Sequence, residues 1–451
     1  MPIGLDIGST AVRAVQLVNR GGQLSVASAM EVPTPNVPQE ADPQWSGTIE
    51  LEDQPAEGTS RQAKRAEHLS SGVEDSVRRL MELGGFVGRK VVLQCPAQQL
   101  DLRPVHLPAG PEGLPRPAIL GALRLKIADH IGFPVEQAVI DYHPLQVDSQ
   151  NGQLSVIAIT ADGEPIKRKI EMLRKLHLHC VGVDAQPFTM MKLLQSDEAM
   201  RQFDRASDRA GGESTDPEHP NGADDKNKEL IAVLDIGHCG STLVVVNDRT
   251  PLFSRCFSFG GRELTDILAQ SLMVDQDQAE RLNKVYGLAA YHAGLSPKND
   301  DTHNVQGEND STQQTARGQN AQIAKTILSA LQSHLESYVE SLVRSLNYVI
   351  AQQRDSRLDK IVLCGTTSHM QKLDCYFSDK LRIGVERMRH RLLSEIAEQL
   401  PKPRAQTGRW ATALGLALYG EEFEPAGSTP SVEKEIPVVD AQVSSPEATQ
   451  R

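Results

Sequence analysis

Two tetrapeptides decide the reading of this chain: Leu5-Asp6-Ile7-Gly8 near the start, and the same four letters at Leu234-Asp235-Ile236-Gly237. Each copy ends a short apolar run and precedes two β-like runs joined by a turn. In the first half those runs are Ala11 to Leu17 and Leu24 to Val32, turning at Asn19 to Gly22. In the second they are Thr242 to Asn247 and Pro251 to Ser258, turning at Asp248-Arg249. Helical periodicity follows in each half. Ile327, Leu331, Leu335, Val339, Leu342, Leu346 and Val349 recur every three or four residues, and strand-like Ile361 to Leu363 comes next. A helix laid on a sheet accounts for that stripe more plainly than a coiled coil. In the first half, Ala118 to Ile131 and Ile166 to Leu176 read as helices, with strand-like Ala138 to Tyr142 and Leu154 to Thr160 between them. The chain reads as an α/β duplication: two domains facing a cleft.

Working outward, four stretches are poor in apolar residues and cannot offset their own ordering entropy. They are 33–68, 197–228, 293–320 and the acidic tail 421–451, all expected to be disordered. What remains divides into a first domain over 1–195, with an inserted lobe at about 91–160, and a second over 229–404. A closing helix over 405–420 returns to the first domain. The length of 451 residues suits two domains plus tails. The net charge of −12 argues against binding to a phosphate backbone, so nucleic acid is not an expected partner. No run approaches the ~18 apolar residues of a membrane span, and a motif begins by Asp6, so the chain is expected to stay in the cytosol without inserting in a membrane. The six cysteines form no CxxC pair and read as free thiols.

An Asp-x-Gly turn between two strands has a definite chemistry. Gly8 and Gly237 permit a tight turn, and its backbone N–H groups suit phosphate oxygens, helped by Ser9 and Thr10 or by Ser241 and Thr242. Asp6 and Asp235 are placed to hold hydrated Mg²⁺, and Arg13 to neutralise phosphate charge. Asp-x-Gly is also ordinary turn chemistry. Two copies at matching places, facing each other, make a nucleotide clamp the sharper reading.

Gly4 to Arg13 resembles the first phosphate motif of the actin, Hsp70 and sugar-kinase superfamily. Val233 to Val246 resembles its second, and Ile361 to Leu373 stands at its adenosine motif. Within that superfamily the chain looks most like the PilM family of type IV pilus assembly. Arg255 to Thr265, with Gly260-Gly261, resembles that family's Arg…Gly-Gly…Leu-Thr signature leading to Ala279-Glu280, and Trp410 to Ala417 resembles its closing helix. Phe133-Pro134, Val139 to Tyr142 and Gly182 to Asp184 follow the order of its first half.

The resemblance implies ATP and Mg in the cleft, with Gly260, Gly261, Glu280 and Gly365 joining the phosphate turns as cofactor-binding residues. It also implies a groove on the lobe for the cytoplasmic N-terminal segment of a PilN-type inner-membrane protein, and contact with other pilus assembly proteins. Helix Ala118 to Ile131 is a candidate wall of that groove. The protein would then lie peripheral to the inner membrane through its partner; homo-oligomerisation is left open. Two departures are on view. The adenosine loop keeps only Gly365, followed by Thr366, Thr367 and Ser368, which narrow a base pocket. Lys284 falls one step later than the family's Ala-Glu-x-x-Lys.

No catalytic residue is assigned: strand Lys90 to Cys95 ends in Pro96-Ala97 without an acid, so turnover would be slow at most. Three alternatives stay open: a degenerate scaffold without nucleotide, an FtsA-like division protein and a small-molecule kinase. The acidic tail speaks against the second and the missing base against the third. His177, His179, Cys180 and Asp184 read as residues entering a strand rather than as a metal site.

Overall fold

The computed structural model describes residues 1–34, 72–108, 114–148, 153–196, 229–247, 250–291, 311–352, 357–400 and 406–420. The strands in chain order are β1 (Ile3–Ile7), β2 (Ala11–Arg20), β3 (Gln23–Pro33), β4 (Lys90–Cys95), β5 (Leu100–Pro108), β6 (Ala138–Asp148) and β7 (Gln153–Asp162). Next come β8 (His179–Ala185), β9 (Glu229–Ile236), β10 (Ser241–Asn247), β11 (Thr250–Phe257), β12 (Arg357–Cys364) and β13 (Gly384–Arg387). They form two five-stranded sheets, β3-β2-β1-β4-β8 and β11-β10-β9-β12-β13, and a three-stranded sheet β5-β7-β6. The two larger sheets are built alike: an antiparallel meander of three strands, then two parallel strands added beyond the first. The repeat continues in register. Asp6 pairs with Arg13 across β1 and β2, and Asp235 pairs with Thr242 across β9 and β10, the same offset of seven residues in each.

Alternation sets the two faces of each sheet. Ile3, Leu5 and Val12 turn to one face, packed under helix 72–83 and helix Gly163–Lys175. In the second half Leu234, Leu243 and Leu363 turn to helix Ser311–Gln352, whose Ile327, Leu331, Leu335, Leu342 and Leu346 are buried on them. The opposite faces share a third core. Val15, Leu17, Val233 and Val244 converge on helices Gln186–Ser196, Arg391–Gln399 and Ala411–Ala417, and Trp410 is buried among them. The last of these helices lies so close over β1 that a Cβ at Gly4 would stand 2.3 Å from the Ala413 carbonyl oxygen.

Three boundaries differ from the expectations. Strand β4 is an interior strand of the first sheet, because Val91, Val92 and Leu93 are an unbroken buried run between two parallel neighbours. The lobe therefore starts after Cys95, with β5, and its helix is Arg116–Ile127. Helix Ser311–Gln352 begins inside the stretch read as an insert over 293–320. Helix Arg391–Gln399, placed by sequence in the second domain, is laced to β3 of the first. Arg391 and Gln399 donate to the Leu24 and Val26 carbonyls, and the Val26 N–H donates to Glu395 at 2.9 Å. Nearly all of the insert at 33–68, and all of 197–228, 293–310 and 421–451, lie outside the described residues.

Candidate functional site

The two Asp-x-Gly turns meet at the shared core. Burial pushes the Asp6 carboxyl up to about 6, against the opposing pull of Arg13 and Lys169. Burial likewise pushes Asp235 up to about 6; the nearby charge of Asp6 raises it further, while Gln186 and Arg13 oppose. Two half-buried carboxylates, one of them felt by the other, are a donor set for a cation, and a divalent ion held through its waters fits that pair.

Register arranges further polar groups in a row across the first sheet. Glu31 pairs with Arg13, Arg13 with Asp6, and Gln94 with Asp184; Leu5 opposite Leu93 sets Gln94 alongside Asp6. Arg13 is 5% exposed, with Nε on Glu31 at 2.6 Å and Nη1 3.8 Å from Asp6, so its charge already serves two acids. Arg409 reaches the same Glu31 from the closing segment at 3.4 Å. Gln94 Nε2 is buried without a partner, and Asp184 is tied to Lys192 at 2.6 Å. The matching row of the second sheet is Cys256, Thr242, Asp235 and Cys364. Of these two rows, only the first holds charged residues besides its aspartate.

The predicted turn residues divide by what they touch. Gly8 and Gly237 N–H close their own turns on the Ala11 and Gly240 carbonyls, at 3.0 and 2.9 Å. Ser9 is exposed and Thr10 half-buried at the mouth of the first turn. Ser241 and Thr242, expected to face phosphate, are instead 2% exposed. The Ser241 hydroxyl meets the Tyr338 hydroxyl at 2.6 Å, and Thr242 Oγ1 lies 3.8 Å from Cys256 Sγ. Both are inside the strand rather than on the turn, which explains their burial.

Gly260 and Gly261 serve close packing between loops. A Cβ on Gly260 would meet Gly240 N and the His238 carbonyl at 2.6 Å, and one on Gly261 would meet Thr367 Oγ1 at 2.7 Å. Thr367 stitches the adenosine-position loop to the second turn, donating its N–H to the Ile236 carbonyl and its hydroxyl to the Gly237 carbonyl, both at 2.9 Å. Gly365, at φ +89°, rides on that turn, and a Cβ there would stand 2.3 Å from Asp235 Oδ1. Glu280 pairs with the late Lys284 at 2.6 Å.

Beside them lie polar atoms buried without partners: Asn283 Oδ1, Thr366 Oγ1 and His369 Nδ1. Burial lowers the His369 ring to about 4, aided by Arg409, Lys284 and Arg387. Buried orphan groups of this kind suit a polar ligand that would satisfy them.

Sequence reasoning missed Gln186. Its Nε2 donates to Asp235 Oδ2 at 2.9 Å and its Oε1 accepts the Ala97 N–H at 2.9 Å. The search for a polar residue followed β4, whereas Gln186 caps the parallel neighbour β8. Its place directly after the run Val183-Asp184-Ala185 was the available signal.

This is the architecture of an actin-like protein: two related α/β domains, each with an Asp-x-Gly turn after its first strand. A family model described as Type IV pilus assembly protein PilM matches residues 46–293, more than half of the chain, and the chain belongs to that family. The model for Cell division protein FtsA matches residues 232–415. Among solved structures, the PilM-PilN type IV pilus biogenesis complex is similar at 21% identity and a TM-score of 0.63, covering 93% of this chain and 98% of that one. More distant are EutJ from Carboxydothermus hydrogenoformans (13% identity, TM-score 0.41, coverage 93% and 89%) and MreB 5 of Spiroplasma citri bound to AMPPNP (12%, 0.42, 93% and 95%). Among the described residues, no helix is long and apolar enough to cross a membrane.

Proposed function

We propose that this pilus assembly protein is a nucleotide-responsive scaffold that binds Mg-ATP between its halves. The observation that carries the reading is the pair of half-buried aspartates at the two turns, Asp6 and Asp235, both raised by desolvation, with the charge of Asp6 acting on Asp235; a hydrated Mg²⁺ would relieve both. When bound, Mg²⁺ would supply the positive charge that brings phosphate oxygens to these turns. Asp6 and Asp235 would hold its waters. Ser9 and Thr10 offer hydroxyls at the mouth of the first turn. Asn283, Thr366 and His369 supply unpaired polar atoms on the second half, where a nucleoside would rest. Glu280 stands half-exposed on the same helix as Asn283.

The lobe supports the second part of the reading, docking of the cytoplasmic N-terminal segment of a PilN-type membrane protein. Three exposed large hydrophobic side chains lie there: Leu125 on helix Arg116–Ile127, and Val139 and Leu145 on edge strand β6. An exposed edge with apolar neighbours suits an extended peptide. Such a partner would hold the protein at the inner membrane.

Calorimetric titration of MgATP into wild type and into the Asp6→Ala/Asp235→Ala double variant tests the clamp. Saturable binding lost in the variant is expected; equal heats in both would remove the clamp from the proposal. Fluorescence anisotropy of a labelled PilN-type peptide, with and without nucleotide, tests docking on the lobe. Leu125→Glu should abolish that signal.

A further inference from the structure

At the end of the first sheet opposite the two aspartates, helix 72–83 and helix Gly163–Lys175 both finish, and strands β4 and β8 both begin. Four chain ends therefore share one edge of the domain. Arg79, Arg89, Lys90, Arg174, Lys175 and His179 stand on it, all exposed. Three of them are neighbours in space: Lys90 is the register partner of His179, and the Arg89 carbonyl accepts the His179 N–H at 2.8 Å. None of these arginines and lysines is paired with a described carboxylate, and the exposed acids Glu82 and Glu171 are fewer than the cations around them. On a chain of net charge −12 such a surface runs against the background.

Two aliphatic side chains project from the same edge. Leu83 is 57% exposed and Val87 80% exposed. The backbone of Val87 is gripped from both sides by the Gln16 amide. Its N–H donates to Gln16 Oε1 at 2.8 Å, and its carbonyl accepts from Gln16 Nε2 at 2.7 Å. Gly85 and Gly88, at φ +64° and +81°, make the bends on either side. The loop is thus built to hold an apolar tip outward amid cations. A purely acidic polypeptide, without apolar side chains, would use the cations alone. A bilayer with anionic headgroups uses both: phosphate oxygens meet the cations, and aliphatic tips enter the headgroup–acyl boundary.

We infer that this edge is a docking surface for anionic phospholipid bilayers, with Leu83 and Val87 entering the interface and Arg89, Lys90, Arg174 and Lys175 contacting headgroups. It lies away from the cleft and does not depend on nucleotide.

Co-sedimentation of the full chain with vesicles tests it. One set is phosphatidylcholine alone, and the other contains about a third phosphatidylglycerol. Binding is expected on the anionic vesicles only, and is expected to be lost when salt is raised from about 50 to about 500 mM. Arg89→Glu/Lys90→Glu should lower partitioning at least ~10-fold. Val87→Ser, whose side chain meets solvent, should lower it roughly 5-fold without altering the salt dependence. Arg281→Glu, on a helix of the second half, should leave binding unchanged. Absence of binding, equal binding to neutral vesicles, or indifference to these substitutions would overturn the inference. So would capture of polyglutamate by a protein that ignores vesicles.

Discussion

Gln186 joins Asp235 of the second half to Ala97 of the first: one amide donates to a half-buried carboxylate and accepts from a buried N–H, each at 2.9 Å. This single side chain of the first half reaches Asp235 of the second and ties it to the segment after β4. Its amide works in both directions, so an apolar residue there loses both bonds and a carboxylate loses the donor.

Gln186→Leu strands the Ala97 N–H and removes the donor from Asp235. Loss of two bonds with buried partners is expected to cost about 2–4 kcal/mol, read as a lower urea midpoint at unchanged m-value. Gln186→Glu should cost more above pH 6 than below it, because a second carboxylate then faces Asp235. A midpoint for Gln186→Leu within error of wild type would refute the bridge.

Asp235→Asn should stabilise the unliganded protein at neutral pH. The carboxyl titrates at 3.8 in its ordinary state and at about 6 when folded, so the folded chain holds the proton more tightly. The contribution of this group to stability is therefore fully present below about pH 4 and is lost as pH rises through 6. The asparagine keeps an acceptor for Gln186 and removes the charge. The expected gain is on the order of 2–3 kcal/mol near pH 7.5, vanishing near pH 4, measured by denaturation across pH. Magnesium alone should raise the wild-type melting temperature at neutral pH and leave the variant unmoved.

Gly365→Ala and Gly4→Ala probe two close approaches. The first places a methyl 2.3 Å from Asp235 Oδ1 at a left-handed φ; the second drives it into the Ala413 carbonyl of the closing helix. Each is expected to cost at least ~3 kcal/mol. Gly4→Ala should also raise protease sensitivity around helix Ala411–Ala417, whereas Gly365→Ala should spare it.

Glu395→Ala removes the acceptor for the Val26 N–H. A loss of about 1–2 kcal/mol is expected, together with faster amide exchange at Val26. Exchange at Val26 as slow as in wild type would show that Arg391 and Gln399 hold the edge of β3 without it.

The duplicated tetrapeptide, the flanking alternation and the long apolar stripe were legible in the sequence because each depends on neighbours within one or two elements. The positions of Asp6 and Asp235 beside their turns were legible for the same reason: an Asp-x-Gly turn declares its own geometry. Ser241 and Thr242 were misplaced, because a hydroxyl next to a turn looks identical whether it faces the cleft or Tyr338. Strand β4 was assigned to the lobe, because a buried parallel strand has no local mark of which sheet receives it.

By itself the sequence determined that this protein has two related halves, each presenting an aspartate on a glycine turn, since those features follow from local backbone and side-chain periodicity. Only the tertiary structure decided that the first half carries the charged row around its aspartate, that Gln186 crosses to Asp235, and that Thr367 ties the third loop to the second turn. Those contacts join residues 49 and 130 positions apart. Their existence depends on how sheets and helices pack, and packing is a property of the whole chain rather than of any stretch within it.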